Sequence, residues 1–251
     1  MRHFVRDSIL SIQEGDKMNS MKRVLAFLRE LRENNNTVWF HAHRAEYEEV
    51  RSYFNDFAVR LIAKVQEFDA SVAGLELKDC TYRINRDIRF SSDKSPYKTH
   101  MGVFICPGGK KSGKAGYYIH VSPEGEGGGG YPDGCMLAIG NYCYDKKVVE
   151  IVREDIEDDG ALFDGMIQNA KQKGYQLDCE DSLKRVPRGF NADSPYAEYL
   201  KLKSYCLSKR VSEEFVCAES LMENVVEEFK SQKSFNDYLN KVADYVEEVD
   251  E

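Results

Sequence analysis

The sequence predicts an α+β fold: a central, mainly antiparallel sheet flanked by N-terminal and C-terminal helices. Three observations predict it. Apolar residues recur every three or four positions at both ends of the chain. Between Thr81 and Ile139 the period shortens to two, with glycine-rich turns between the apolar runs. No internal repeat and no long linker divides the 251 residues into separate cores, and that length is ample to bury one core.

The helices come first. Met21 to Glu33 places Val24, Leu25, Leu28 and Leu31 on one face. Asn34-Asn35-Asn36 ends that helix, because Asn tolerates the left-handed conformation, and Thr37 can cap a new start. A long helix follows, with Tyr47, Val50, Phe54, Phe57, Leu61, Val65 and Phe68 on one stripe. Thr81 to Phe90 then alternates, with Tyr82, Ile84, Ile88 and Phe90 on one side, which predicts a half-buried strand. Arg86 is the exception. It falls on the apolar side, so it needs a carboxylate, carbonyls or a bulge.

Met101 to Cys106, Tyr117 to Val121 and Cys135 to Ile139 predict further strands, joined by turn-rich connections. Helical periods return at Asp145 to Glu157 and Ala161 to Gln172. Leu183 to Phe190 reads as irregular, stiffened by Pro187, and Ser194-Pro195 opens a short helix. Tyr205 to Val211 predicts a last strand. Two helices close the chain, Ser212 to Lys230 and Phe235 to Val246, with Ser212 and Ser234 as N-caps.

Composition narrows the function classes. Hydrophobic content of 42% and charged content of 31% are ordinary for a soluble globular protein. No apolar run is long enough for a membrane span, and the first residues lack a signal-peptide core; a cytoplasmic protein is expected. The seven cysteines are odd in number and form no CxxC pair, which fits reduced thiols. Net charge is −8, which disfavours wholesale nucleic-acid binding. Yet Tyr82 to Lys114 alone carries eight Lys/Arg against two Asp, leaving −14 for the rest.

The densest chemistry is "RDIRFSSDKSPYKTH", Arg86 to His100. A strand running straight to Phe90 projects Arg83, Asp87 and Arg89 to one side. Ser91-Ser92-Asp93 can turn the chain through side-chain-to-backbone bonds, bringing Lys94, Lys98 and His100 back towards the arginines.

This motif, with "NNNTVWFHAHRAEY" (Asn34 to Tyr47) and "LKRVPRGFNADSPYAEYLKLKSY" (Leu183 to Tyr205), resembles the domain-of-unknown-function 2461 family, conserved hypothetical proteins widespread in bacteria. The resemblance runs from about Met21 to near the end. It implies a single α+β domain and a shared site around Arg86, Asp87, Arg89, Phe90, Ser91, Asp93, Lys94, Pro96, Tyr97 and Lys98. The family brings no established activity. Residues 1–20 lie outside the resemblance and read as an N-terminal extension, poorly ordered or the product of an upstream start. Residues 21–251 read as the α+β domain.

Two readings of the motif compete. In one, Arg83, Arg86, Arg89, Lys94, Tyr97 and Lys98 face a phosphorylated or carboxylated small molecule, since guanidinium grips such anions two-pronged. Arg185 and Arg188, on their rigid segment, then complete the pocket, and Trp39 supplies an aromatic wall. Asp87 or Asp93 orients the arginines or acts as base, and His43 or His100 carries a proton. In the other, the cations close a salt-bridge net with Asp87, Asp93 and acidic helices, and the domain is structural or binds protein. A single-stranded nucleic-acid module, stacking bases on Tyr97, Phe104, Tyr117 and Tyr118, is a further alternative. His41 and His43 have no partners at metal spacing, so no metal is expected. "GEGGGG" contains GxGxxG at Gly125, Gly127 and Gly130 but lacks the βαβ context of a dinucleotide site, and no cofactor is expected. Oligomeric state, substrate and reaction stay open.

Overall fold

The structure is a computed structural model that describes residues 20–125 and 132–250. The N-terminal extension before Ser20, together with Gly127 and Gly130, lies outside the described residues.

Helix α1 (Ser20–Glu33) buries Val24, Leu25, Phe27, Leu28 and Leu31, each worth about 1.5–3 kcal/mol relative to exposure. The short α2 (Thr37–Ala42) starts at Asn36, not Thr37. The Asn36 side chain accepts a hydrogen bond from the Trp39 amide, satisfying one of the helix's orphan donors. Helix α3 (Arg44–Phe68) buries the apolar stripe expected of it, Phe68 being only half-buried, and lies along α1. A one-turn helix α4 (Leu77–Cys80) leads into the motif.

The predicted strand at Thr81 to Phe90 does not form. Isolated bridges join Thr81 to Val103 and Asn85 to Tyr97. The chain doubles back on itself as a narrow ribbon: Lys98 N donates to Ile84 O at 2.8 Å, and Arg86 N to Pro96 O at 2.9 Å. Only Ile84 of the alternating set enters the core, whereas Phe90 is 95% exposed. Sequence alternation there reflects a finger bent at Ser91–Ser95, not a sheet face.

The sheet is antiparallel throughout, with order β1-β2-β3-β5-β4. Its strands are β1 (Met101–Ile105), β2 (Gly116–Val121), β3 (Cys135–Asn141), β4 (Gln176–Leu177) and β5 (Tyr205–Val211). Val103, Ile105, Tyr117, Ile119, Leu137, Ile139, Tyr205 and Leu207 join the helices in one continuous core. Period two sends Tyr118, Met136, Ala138 and Cys206 to the opposite face, where they form a small separate cluster. The protein is therefore α+β, with its sheet flanked by N-terminal and C-terminal helices.

Helix α5 (Lys146–Gln172) merges the two predicted segments across a kink at Asp159, φ −139° and ψ 64°. The Tyr196 ring presses on Gly160 there, and a side chain at 160 would overlap it. After the one-turn α6 (Ala197–Leu200) and β5, the expected Ser212–Lys230 helix splits into α7 (Glu213–Val216) and α8 (Leu221–Ser231). On one straight helix Val216 and Leu221 would point about 140° apart; the break lets both reach the core. Ser212 caps α7 through the Phe215 amide, as expected. Helix α9 spans Lys233–Asp250, longer than the Phe235 to Val246 expected and starting ahead of Ser234. All seven cysteines are free, and four are buried. No described helix is long and apolar enough to cross a membrane.

Candidate functional site

The finger consumes its own cations. The Arg86 side chain is 6% exposed; its Nη1 meets Asp93 Oδ2 at 2.7 Å and Ser95 O at 2.9 Å, and its Nη2 donates to Ser91 Oγ. The Ser95 amide and hydroxyl donate to Asp93 Oδ1. The Ser95 bonds first, and Arg86 after them, hold the Asp93 carboxyl down to about 2. Arg89 folds back on Asp87 through Nε at 2.9 Å and Nη2 at 2.7 Å, and Asp87 likewise falls to about 2. Lys94 Nζ donates to Ile88 O. These are the contacts of a locked turn.

Beside the finger's root lies a cleft of about 590 Å³, walled by one face of α3, by α4 and by the start of β1. Arg83, Tyr97, Lys98 and His100 line it, as do residues the sequence reading did not select: Arg44, Arg51 and Lys78 among the cations, His41, and the amides Asn55 and Asn85. Lys78 pairs with Glu76 at 2.7 Å, and the other four basic side chains face a single lining carboxylate, Glu48. Glu48 shares itself between Arg44 and Arg51, each at 3.4 Å. Lys98 Nζ donates to Arg83 O at 3.0 Å and sits 5.3 Å from the Tyr82 ring centre. Burial, and then the Arg83 charge, lower the Lys98 pKa. The Arg83 side chain makes no hydrogen bond or ion pair among the described residues.

The cleft has a floor and a mouth. Phe40, Tyr47, Phe54 and Tyr97 are at most 8% exposed, with Phe40 and Tyr97 stacked at 3.9 Å. Arg44 and Arg51 keep 62% and 54% of their side chains in solvent. The floor is set by Asn35, which ties the Tyr97 backbone to the α1–α2 turn.

His100 stacks on His120, ring centres 4.5 Å apart. His120 Nε2 lies 3.2 Å from the Pro132 carbonyl, and Nδ1 lies 2.9 Å from the Tyr118 hydroxyl. A carbonyl only accepts, so Nε2 carries the proton and Tyr118 donates to Nδ1. Burial pushes His100 down to about 2 and His120 to about 4, leaving both neutral at physiological pH.

The other selected residues sit elsewhere. Trp39 and His43 stack on each other at 4.0 Å, and His43 Nδ1 is tied to Trp39 O; His41, two residues earlier, takes the place at the cleft. Arg185 and Arg188 do not line the cleft. They follow β4, which forms the far edge of the sheet from β1. Their segment is pinned to α5 by Asn191 N on Glu157 and by Arg153 on Leu200 O. Among the described residues no group of three or more His, Cys, Asp or Glu is placed to hold a metal ion.

Arg44, Tyr47, Glu48, Arg51, Phe54 and Asn55 share one helical stripe, and that spacing was the available signal for the missed cations.

Residues 23–238 match the family described as Conserved hypothetical protein (DUF2461). The match covers most of the chain, which belongs to that family. No curated protein and no solved structure matches it.

Proposed function

We propose that the cleft beside the finger binds a small molecule carrying a phosphate or carboxylate, in a cytoplasmic protein. The observation that carries this reading is the imbalance of its lining: with Lys78 held by Glu76, four basic side chains remain against Glu48 alone. Arg83 is the central group, since its guanidinium makes no hydrogen bond or ion pair among the described residues, and guanidinium offers an anion two parallel donors. Lys98, Arg44 and Arg51 add charge around it. The buried Arg86–Asp93 pair holds the finger in shape, and the exposed Arg89 folds back on Asp87 outside the cleft lining, so neither cation is assigned to the ligand.

Three charge-assisted bonds of about 1.5–3 kcal/mol each offset much of the cost of fixing a ligand. The net result lies at about −4 to −8 kcal/mol, millimolar to micromolar affinity. The proposal is one of binding; a reaction is not part of it.

Thermal unfolding of the full chain with inorganic phosphate or citrate tests it. A ligand at about a hundredfold excess over Kd stabilises by ~2.7 kcal/mol, a Tm rise of roughly 5–10 °C for a chain of this size. The rise should shrink in Arg83→Ala and persist in Arg89→Ala. Equal responses from the parent and an Arg83→Ala/Lys98→Ala double variant would refute the reading.

A further inference from the structure

The cleft is far larger than an inorganic anion needs, and its surplus has a definite chemistry. A volume of about 590 Å³ falls in the range that encloses a drug-sized ligand. Arg44 and Arg51 stand at the mouth and the aromatic rings at the floor, as their exposures show. A ligand whose anion meets Arg83, Arg44 and Arg51 must therefore send its body inward. The floor presents Phe40, Tyr47, Phe54 and Tyr97, with Phe40 and Tyr97 stacked on each other, an apolar base for the ligand's body.

Asn55 decides what kind of body. It lies on α3 one turn after Arg51 and next to Phe54, half-buried and lining the cleft. Its amide makes no hydrogen bond among the described residues. Covering it with a hydrocarbon would strand a donor and an acceptor away from water, which is costly. A body with a polar edge satisfies both, since a primary amide offers an N–H pair and a carbonyl side by side. Asn85, exposed on the opposite wall, offers a second such amide.

Resting on the proposed anion site, we infer that its ligand is a planar heteroaromatic ring joined to an anionic group, in the manner of a nucleoside monophosphate. The ring enters first against the aromatic floor, its polar edge meets Asn55, and the phosphate stays at the mouth with Arg83.

Calorimetric titration of the full chain with inorganic phosphate, ribose 5-phosphate, AMP, CMP and octyl phosphate tests this. AMP or CMP should bind at least tenfold tighter than ribose 5-phosphate, and octyl phosphate should gain less. Asn55→Ala should lose about fivefold to tenfold of the nucleotide advantage while its affinity for inorganic phosphate is unchanged. Nucleotides no tighter than ribose 5-phosphate, or octyl phosphate tightest of all, would overturn the ring assignment and leave the anion site standing. Failure of every phosphate to bind would overturn both.

Discussion

Asn35 and Tyr97, sixty-two residues apart, exchange two hydrogen bonds: Asn35 Nδ2 donates to Tyr97 O at 2.9 Å, and Tyr97 N donates to Asn35 Oδ1 at 3.1 Å. This side chain imitates a strand partner for one residue. It joins the asparagine run to the finger and fixes the ring that stacks on Phe40. Asn35→Ala should cost about 1–3 kcal/mol and weaken phosphate binding through a loosened floor. Asn35→Asp, which loses the donor, should do the same. Chemical denaturation gives the first number. An unchanged midpoint in both variants would remove the anchor from the account.

Arg86 is the finger's internal strut. Removing it leaves Asp93 without its cation and Ser95 O without a donor, so Arg86→Ala should destabilise by about 3 kcal/mol, the lower end for a broken buried pair because Asp93 retains water. Arg89→Ala breaks only an exposed pair, and its stability should stay within about 0.5 kcal/mol of the parent. Urea midpoints for the two variants compare them directly, and the reverse order would contradict the assignment of strut and surface.

Acid should unfold the protein through the histidine pair. His100 and His120 have folded pKa values of about 2 and about 4, whereas the unfolded chain takes its protons near 6.5. The unfolded state thus binds more protons below about pH 6.5. Stability is complete above that pH and is lost as pH falls towards 4 and below. Each group contributes a slope of up to about 1.4 kcal/mol per pH unit. Asp87 and Asp93 act only below about 3.8, where the His100 window overlaps theirs and the His120 window has largely ended. Replacing His120 by Gln should flatten the upper window and leave the lower one; identical profiles would sink this prediction.

Phosphate affinity should fall with ionic strength, because Arg44 and Arg51 stand at the solvent-exposed mouth and are screened there. Arg44→Ala should weaken binding about threefold to tenfold and reduce the salt dependence along with it. Titrations across a range of sodium chloride concentrations read both effects, and a salt-independent affinity would place the anion elsewhere.

Much of the fold was legible because period 3.6 and period 2 are strong signals when one face is buried. Val24, Leu28 and Leu31 or Ile119 and Leu137 declare their sides. The finger was misread because Tyr82, Ile84, Ile88 and Phe90 alternate as a strand would, although only Ile84 is buried. β4 is two residues long, too short to carry a pattern. Within the site, Arg86 was legible as an inward cation needing a carboxylate, and Asp93 supplies it. Arg44 and Arg51 were not, since a charged helix face looks solvated until α4 and the finger's root stand opposite. Arg185 and Arg188 were drawn to the site by charge alone, and nothing in local sequence tells which sheet edge a long connection follows.

The most direct test is a crystal structure of the full chain grown in sulfate. The account predicts an anion within hydrogen-bonding distance of Arg83, with Lys98, Arg44 or Arg51 as a second partner, while Arg86 stays on Asp93 and Arg89 on Asp87. An empty cleft with sulfate held instead by Arg89 at the fingertip, or by Arg185 and Arg188 at the far edge, would contradict it.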